Sequence, residues 1–238
     1  MKEMIASACY RILAAVVGGA LAFGAGADVP LPQGYTRLEW IQSDGSQYID
    51  TLYTHQPNSR VVASFAVSAP QKSSWAAVFG SRDSDCNNAF LFSVCSGKNT
   101  PLKPFYARNL NADGARGVVD LPDGVRVNLE CDGLTAHWEA AADPAIADTI
   151  ALNGSTSAGS RTMTLFGCRH ETTPNDKVFY IAMKLFAFDI YEGDVAKRKF
   201  VPCCSLEGKV GLWDLVEGRF YGDAANSAKR FRCSDDQD

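Results

Sequence analysis

Residues 38–53 read LEWIQSDGSQYIDTLY. Two runs rich in aromatic and β-branched residues flank Ser43-Asp44-Gly45-Ser46, and such residues suit a pleated, half-buried surface. Asp-Gly accepts the positive φ that a tight turn demands, so the segment predicts a β-hairpin. Leu38 and Trp40 fall on one face of its first strand, and Ile49 and Thr51 share a face of its second. Trp40 and Tyr48 read as core or edge-covering aromatics. No residue in the segment is suited to catalysis.

The same alternation runs through the chain. In SRVVASFAVS, Val61, Ala63, Phe65 and Val67 share a face; in AFLFSVCSG, Phe90, Phe92 and Val94 do. In VRVNLECDGLTAHWEA, Val125, Val127 and Leu129 alternate with Arg126, Asn128 and Glu130, and Asp132-Gly133 marks a turn before Leu134, Ala136 and Trp138. WEAAADPAIADTIA (138–151) is ambiguous between a loop and a helical turn interrupted by Pro144. No other stretch carries helical periodicity. Many short strands with regular turn signals predict an all-β domain, a sandwich or barrel, over residues 28–233, with a disordered acidic tail, SDDQD, at 234–238.

Ahead of that domain, Lys2 and Arg11 precede the apolar run Ile12–Phe23, and Ala25-Gly26-Ala27 follows it. This is the layout of a signal peptide over residues 1–27. Twelve apolar residues rise only about 18 Å as a helix, short of a hydrocarbon core of about 30 Å. The expectation is export to the periplasm, cell surface or medium, with no membrane span after cleavage. The formal net charge of the whole chain is −4, and cleavage makes it one unit more acidic. Nucleic acid is therefore not an expected partner. Seven cysteines follow residue 27: Cys86, Cys95, Cys131, Cys168, Cys203, Cys204 and Cys233. An oxidising compartment permits disulfides, but their connectivity is not readable from spacing. No C-x-x-C occurs, and Cys203-Cys204 without a second pair is no metal motif.

LPQGYTRLEWIQSDGSQYIDTLY (31–53), VFGSR (78–82), KLFAFDIYEGD (184–194) and RKFVPCCSLEGKVGLWDLVEGRFYG (198–222) together resemble the laminin-G-like branch of the concanavalin A-like lectin/glucanase superfamily, as found in bacterial exported proteins. The resemblance implies a two-sheet antiparallel β-sandwich, a jelly roll. It also implies that the N-terminal strands pair with those nearest the C-terminus, which covers edges that would otherwise offer unpaired backbone groups. The fold hosts sugar binders, hydrolases and adhesion modules alike, so it does not choose among them.

The glucanase branch carries E-x-D-x-x-E or E-x-D-x-E on a strand. Here Asp189 and Glu192 are present, but Ala187 stands at the nucleophile position. A spacing of three also sends two side chains to opposite faces of a regular strand, whereas retaining hydrolysis needs its carboxyls about 5–5.5 Å apart. No catalytic residue is expected. The alternatives are a hydrolase or lyase with a noncanonical acid pair, or a purely structural envelope component.

RDSDCNN places Asp83, Asp85 and Asn87 at alternate positions, as in the first half of a calcium loop. Asn88 and Val94 stand where an EF-hand needs Gly and Glu, so only a structural calcium completed by other loops is compatible. No other cofactor is expected. The three histidines, His55, His137 and His170, do not cluster; His55 is expected in a polar loop. What remains is binding. Aromatic faces with nearby hydrogen-bonding groups suit a glycan or an extracellular protein partner. The loops APQKSSW, SRDSDCNN and KPFYARNLNADG carry such residues: Trp75, Arg82, Asp83, Asn87, Asn88, Tyr106, Arg108 and Asn109. In the resemblance a single cysteine follows Val-Pro. Cys203 is therefore expected to be a buried, unpaired thiol, and the extra Cys204 the more exposed of the two and the better disulfide partner.

Overall fold

A computed structural model describes residues 29–72, 74–83, 88–95, 101–109, 113–172, 175–225 and 229–236, excluding the side chains of 109, 113, 170–172 and 175–177. The expected signal peptide therefore lies outside the described residues, as do Asp85, Cys86 and Asn87.

Among the described residues there is no helix. The chain forms β1 (Tyr35–Arg37), β2 (Ile41–Asp44), β3 (Ile49–Thr54), β4 (Ser59–Val67), β5 (Trp75–Ser81), β6 (Phe90–Cys95) and β7 (Lys103–Asn109). There follow β8 (Asp113–Arg116), β9 (Arg126–Asp132), β10 (Thr135–Ala140), β11 (Asp143–Ala151), β12 (Thr162–Leu165) and β13 (Arg169–Thr172). The remainder is β14 (Asn175–Val178), β15 (Ala182–Glu192), β16 (Val195–Ser205), β17 (Val210–Asp214), β18 (Arg219–Tyr221) and β19 (Arg232–Cys233).

The strands make two antiparallel sheets and one small hairpin. The larger sheet runs β11-β10-β9-β4-β15-β16-β17-β18, with β1, β2 and β19 attached at its centre. The smaller runs β3-β12-β5-β6-β7-β8, and β13 pairs with β14 alone. The fold is thus the expected all-β sandwich. Period-2 alternation accounts for its core: Val61, Ala63, Phe65 and Val67 of β4 point inward, as do Phe90, Phe92 and Val94 of β6. Phe65 meets Phe92 across the two sheets at a centroid distance of 6.2 Å. Phe79 touches both Phe90 and Phe188 at about 5.5 Å, edge to face. Such pairs add to the apolar burial that holds the layers together.

The opening segment is not a hairpin. β2 lies in the larger sheet, where it pairs with β15 and β19, whereas β3 lies in the smaller one beside β12. The turn at Asp44-Gly45 carries the chain from one layer to the other. Backbone and side-chain groups that a hairpin would have paired are met by the buried Gln47. Its Oε1 accepts from Ser43 Oγ at 2.9 Å and from Asp44 N at 3.0 Å, and its Nε2 donates to Lys229 O at 3.2 Å. Ile41 on one side and Ile49 on the other both remain fully inside. β1 flanks the end of β16, with Arg37 opposite Cys203, while β2 flanks the start of β15 and β19 pairs with β2. The N-terminal strands thus meet C-terminal ones.

Three further expectations change. WEAAADPAIADTIA forms the β10–β11 hairpin, and Pro144 is accommodated because β11 is the outermost strand of its sheet. KPFYARN is not a loop but β7. The β9–β10 turn centres on Gly133-Leu134, since Asp132 already pairs with Thr135; Gly133 takes the positive φ of 58°. Of the expected tail, residues 234–236 are described and held. Ser234 Oγ accepts from Glu39 N, and the Asp236 carboxylate accepts from Cys233 N.

Cys95, Cys131, Cys203, Cys204 and Cys233 are free thiols. Cys203 is fully buried opposite Gly211, and Cys204 is half-buried. The expectation that Cys204 is a disulfide partner is not met; its thiol is free. Burial pushes the Cys203 thiol up to about 12, so it acts as a small apolar group. Cys203→Ser should lower unfolding stability by about 1–3 kcal/mol, the cost of burying a poorly paired hydroxyl. Urea denaturation checks this, with Cys204→Ser as the near-neutral comparison.

Candidate functional site

The outward rows of the smaller sheet differ from an ordinary solvated face. Ala77 of β5, Ser93 of β6 and Phe105 of β7 lie side by side in register. One row away, Trp75 stands opposite Cys95; on the other side, Gly80 stands opposite Leu91 and Leu91 opposite Ala107. Leu91, Phe105, Ala107 and Ala89 form a second apolar cluster, separate from the main core. The alternation that sends Phe90, Phe92 and Val94 inward therefore sends Leu91, Ser93 and Cys95 to this face.

Small residues at the centre of the face and large ones around it leave a cavity of about 170 Å³. Ala77 and Ser93 are almost fully buried and form its floor. Trp75, Phe105, Phe179, Leu91, Cys168 and Arg82 stand around them. Two glycines let the walls close in. A Cβ on Gly114 would lie 2.4 Å from the Phe105 ring, and one on Gly80 would lie 2.7 Å from Cys168 Sγ. Trp75 meets Phe105 edge to face at 5.1 Å and is 39% exposed at the rim. The Arg82 guanidinium lies 5.8 Å from the centre of the Phe179 ring. Ser93 Oγ is buried on the floor with no hydrogen-bond partner. An unsatisfied buried hydroxyl costs free energy, and in a cavity a bound group can supply the missing bond. No carboxylate stands among the described walls.

Of the expected site residues, Trp75 and Arg82 come together here. Asp83 does not line the cavity; its carboxylate accepts from Asn88 Nδ2 at 2.9 Å. Asn87, and with it the calcium arrangement of Asp83, Asp85 and Asn87, falls outside the described residues. Asn109 ends β7, but its side chain is not described. Tyr106 and Arg108 are corrected: both are fully buried on the inner side of β7. Tyr106 donates to Gly133 O at 2.9 Å. Arg108 Nη2 donates to Gln56 O and Pro57 O at 3.2 and 2.9 Å, and its guanidinium lies 3.9 Å above the Phe90 ring. They are interior because period 2 fixes one face of β7 inward, and Tyr106 and Arg108 share it. The aromatic that does face the cavity is Phe105, which precedes Tyr106 and has the opposite parity.

Sequence reasoning missed Ser93, Phe105, Cys168 and Phe179. The parity of β6 and β7 pointed to the first two. Cys168 and Phe179 flank the β13–β14 hairpin, and no local signal in the sequence brings them to this face.

His55 does lie in the connection between β3 and β4, but that loop turns its ring inward. It is fully buried, with Nδ1 3.2 Å from Ser81 Oγ, beside the Phe90 ring. Ser81 Oγ donates to Arg161 O at 3.0 Å, so it can only accept from His55. The proton therefore sits on Nδ1, and Nε2 carries the lone pair. Burial, with the nearby Arg108 cation, pushes His55 down to about 3. His137 is a surface contact to Thr149 Oγ1 at 2.9 Å.

The carboxylates considered for acid chemistry are engaged elsewhere. Asp189 accepts from Tyr191 Oη at 3.0 Å and faces Lys199 Nζ at 4.0 Å. Glu192 accepts from Tyr53 Oη at 3.0 Å and pairs with Lys197 Nζ at 3.0 Å. Neither lines the cavity.

No family model and no curated protein matches the chain. Solved structures do show a likeness of fold. Domains LG4-5 of the mouse laminin α1 chain are 14% identical with a TM-score of 0.42, over 79% of this chain and 52% of that one. The native heptameric SAP-like pentraxin from Limulus polyphemus is 12% identical with a TM-score of 0.43, over 66% of this chain and 75% of that one. Scytalido-glutamic peptidase with a transition state analog inhibitor is 12% identical with a TM-score of 0.40, over 83% and 98%. These likenesses concern the fold alone, and no ligand or reaction is carried over from them.

Proposed function

We propose that this chain is an exported, non-catalytic binding module of the laminin-G-like kind, which engages a glycan or protein partner outside the cytoplasm. The cavity on the outer face of the smaller sheet is its contact site. The observation that carries this reading is the unpartnered Ser93 hydroxyl on the floor of an aromatic-walled cavity that lacks a carboxylate among its described walls. Such a site can hold a group, and its described walls offer no acid–base pair with which to transform it. The motifs at residues 31–53 and 198–222 support the laminin-G-like assignment, and the basic Lys2 and Arg11 ahead of the apolar Ile12–Phe23 support export.

Trp75 is the exposed aromatic at the rim, and exposed tryptophans commonly dominate binding energies. Trp75→Ala should weaken capture of the ligand by roughly tenfold or more. Glycan-array and envelope-extract binding by the native and substituted proteins measures this. Equal binding by both would move the contact away from this face.

A further inference from the structure

The walls also bear on what the cavity holds. An apolar cavity of about 150 Å³ takes a single benzene ring, and this one measures about 170 Å³. Sites for larger ligands run from about 300 Å³ upward. The occupant is therefore one ring, not an oligosaccharide.

The polar inventory decides which ring. A sugar carries a hydroxyl on nearly every carbon, and each one buried without a partner costs free energy. Among the described walls the Ala77, Leu91, Phe105 and Phe179 side chains offer no hydrogen bond. Ser93 supplies one hydroxyl at the floor, Arg82 a guanidinium at the side, Trp75 an indole N–H at the rim and Cys168 a weakly donating thiol. A plain phenyl ring would fill the space but leave Ser93 Oγ unsatisfied. A ring with a single hydroxyl, entering hydroxyl first, meets both demands. Trp75 and Phe105, packed edge to face on each other at 5.1 Å, form one wall of the cavity it enters.

Resting on the binding-module reading, we infer that the cavity receives one phenolic ring, a tyrosine side chain of a protein partner, with its hydroxyl on Ser93. A polypeptide is the source that this geometry favours. The cavity opens on the sheet face beside the exposed Trp75, so a side chain can enter it while the backbone that carries it stays outside.

Amide NMR of the full chain tests this with four probes: p-cresol, toluene, a methyl glucoside and the capped tripeptide Gly-Tyr-Gly. p-Cresol and the tripeptide should shift the amides of Ala77, Ser93 and Phe105 in saturable fashion and compete with each other. Toluene should bind roughly tenfold more weakly, because it leaves the hydroxyl unpaired, and the glucoside should shift nothing. Ser93→Ala should reduce p-cresol to the level of toluene while the other amides stay in place. Toluene binding as well as p-cresol would overturn the role of Ser93. p-Cresol binding without the tripeptide would overturn the polypeptide source. Saturable shifts from the glucoside at these amides would overturn the ring assignment yet leave the binding module standing. Silence from all four would overturn both.

Discussion

Lowering the pH from 8 to 5 should remove about 2 kcal/mol of folding stability through His55 alone. In the unfolded chain a histidine takes up its proton near pH 6.5. In the folded protein His55 is held down to about 3, first by burial and then by the Arg108 cation. Between those values the unfolded state binds the extra proton and the native state does not. Stability therefore rises with pH across that window, is fully present above about 6.5, and falls as the pH drops toward 3. The slope approaches one proton, or about 1.4 kcal/mol per pH unit. The geometry gives the same direction. Nδ1 must keep its hydrogen for Ser81 Oγ, and a second proton on Nε2, which has no hydrogen-bond partner, would place a cation beside Arg108. Asp189 and Asp214, both raised by burial, act in the opposite sense. The His55 share is therefore read as the difference between the native protein and a variant that cannot titrate at this position. Urea unfolding at several pH values measures the slope, and His55→Gln should flatten it. An equally steep slope in the Gln variant would place the proton uptake elsewhere.

How much of this was legible in the sequence depends on whether a feature is local. Alternation in 59–67, 90–95 and 126–138 places the inward residues correctly, because burial of one sheet face is a property of each strand by itself. The closing motif is also local. Asp214 Oδ1 accepts from Lys199 N and Val216 N at 2.9 Å each, and Gly218, at a φ of 65°, donates to Asp214 O. The Asp and Gly of WDLVEG are thus turn residues. The opening hairpin misled because Asp44-Gly45 makes a turn equally well within a sheet and between sheets. Only Gln47, whose side chain meets backbone and hydroxyl groups on β2 and before β19, distinguishes the two. The site was half legible. Trp75 and Arg82 follow from residue type, but Tyr106 and Arg108 were drawn to the surface by their polarity. A one-residue shift in parity exchanges Phe105 for Tyr106, and turn-like residues in KPFYARNLNADG masked that parity.

Arg108→Ala should be the most damaging single change considered, at about 3–5 kcal/mol, the range for emptying a large core position. The side chain is fully buried, and its Nη2 holds the Gln56 and Pro57 carbonyls, which lie between β3 and β4. Removing it opens a void against Phe90 and leaves both carbonyls without that donor. The charge itself works the other way. Nε and Nη1 have no partner, and burial lowers the guanidinium pKa. The cation–π contact with Phe90 at 3.9 Å offsets only part of that cost. Arg108→Met separates the two effects. Met keeps most of the volume, fits irregular gaps and carries no charge, so it gives up the two carbonyl bonds while relieving an uncompensated buried cation. The expected order is native close to Arg108→Met, with Arg108→Ala far below, read from urea midpoints at constant m-value. If Met and Ala lost the same stability, the carbonyl bonds would outweigh packing at this position. If Ala lost less than about 1 kcal/mol, Arg108 would not be holding the interior of the smaller sheet to the β3–β4 turn.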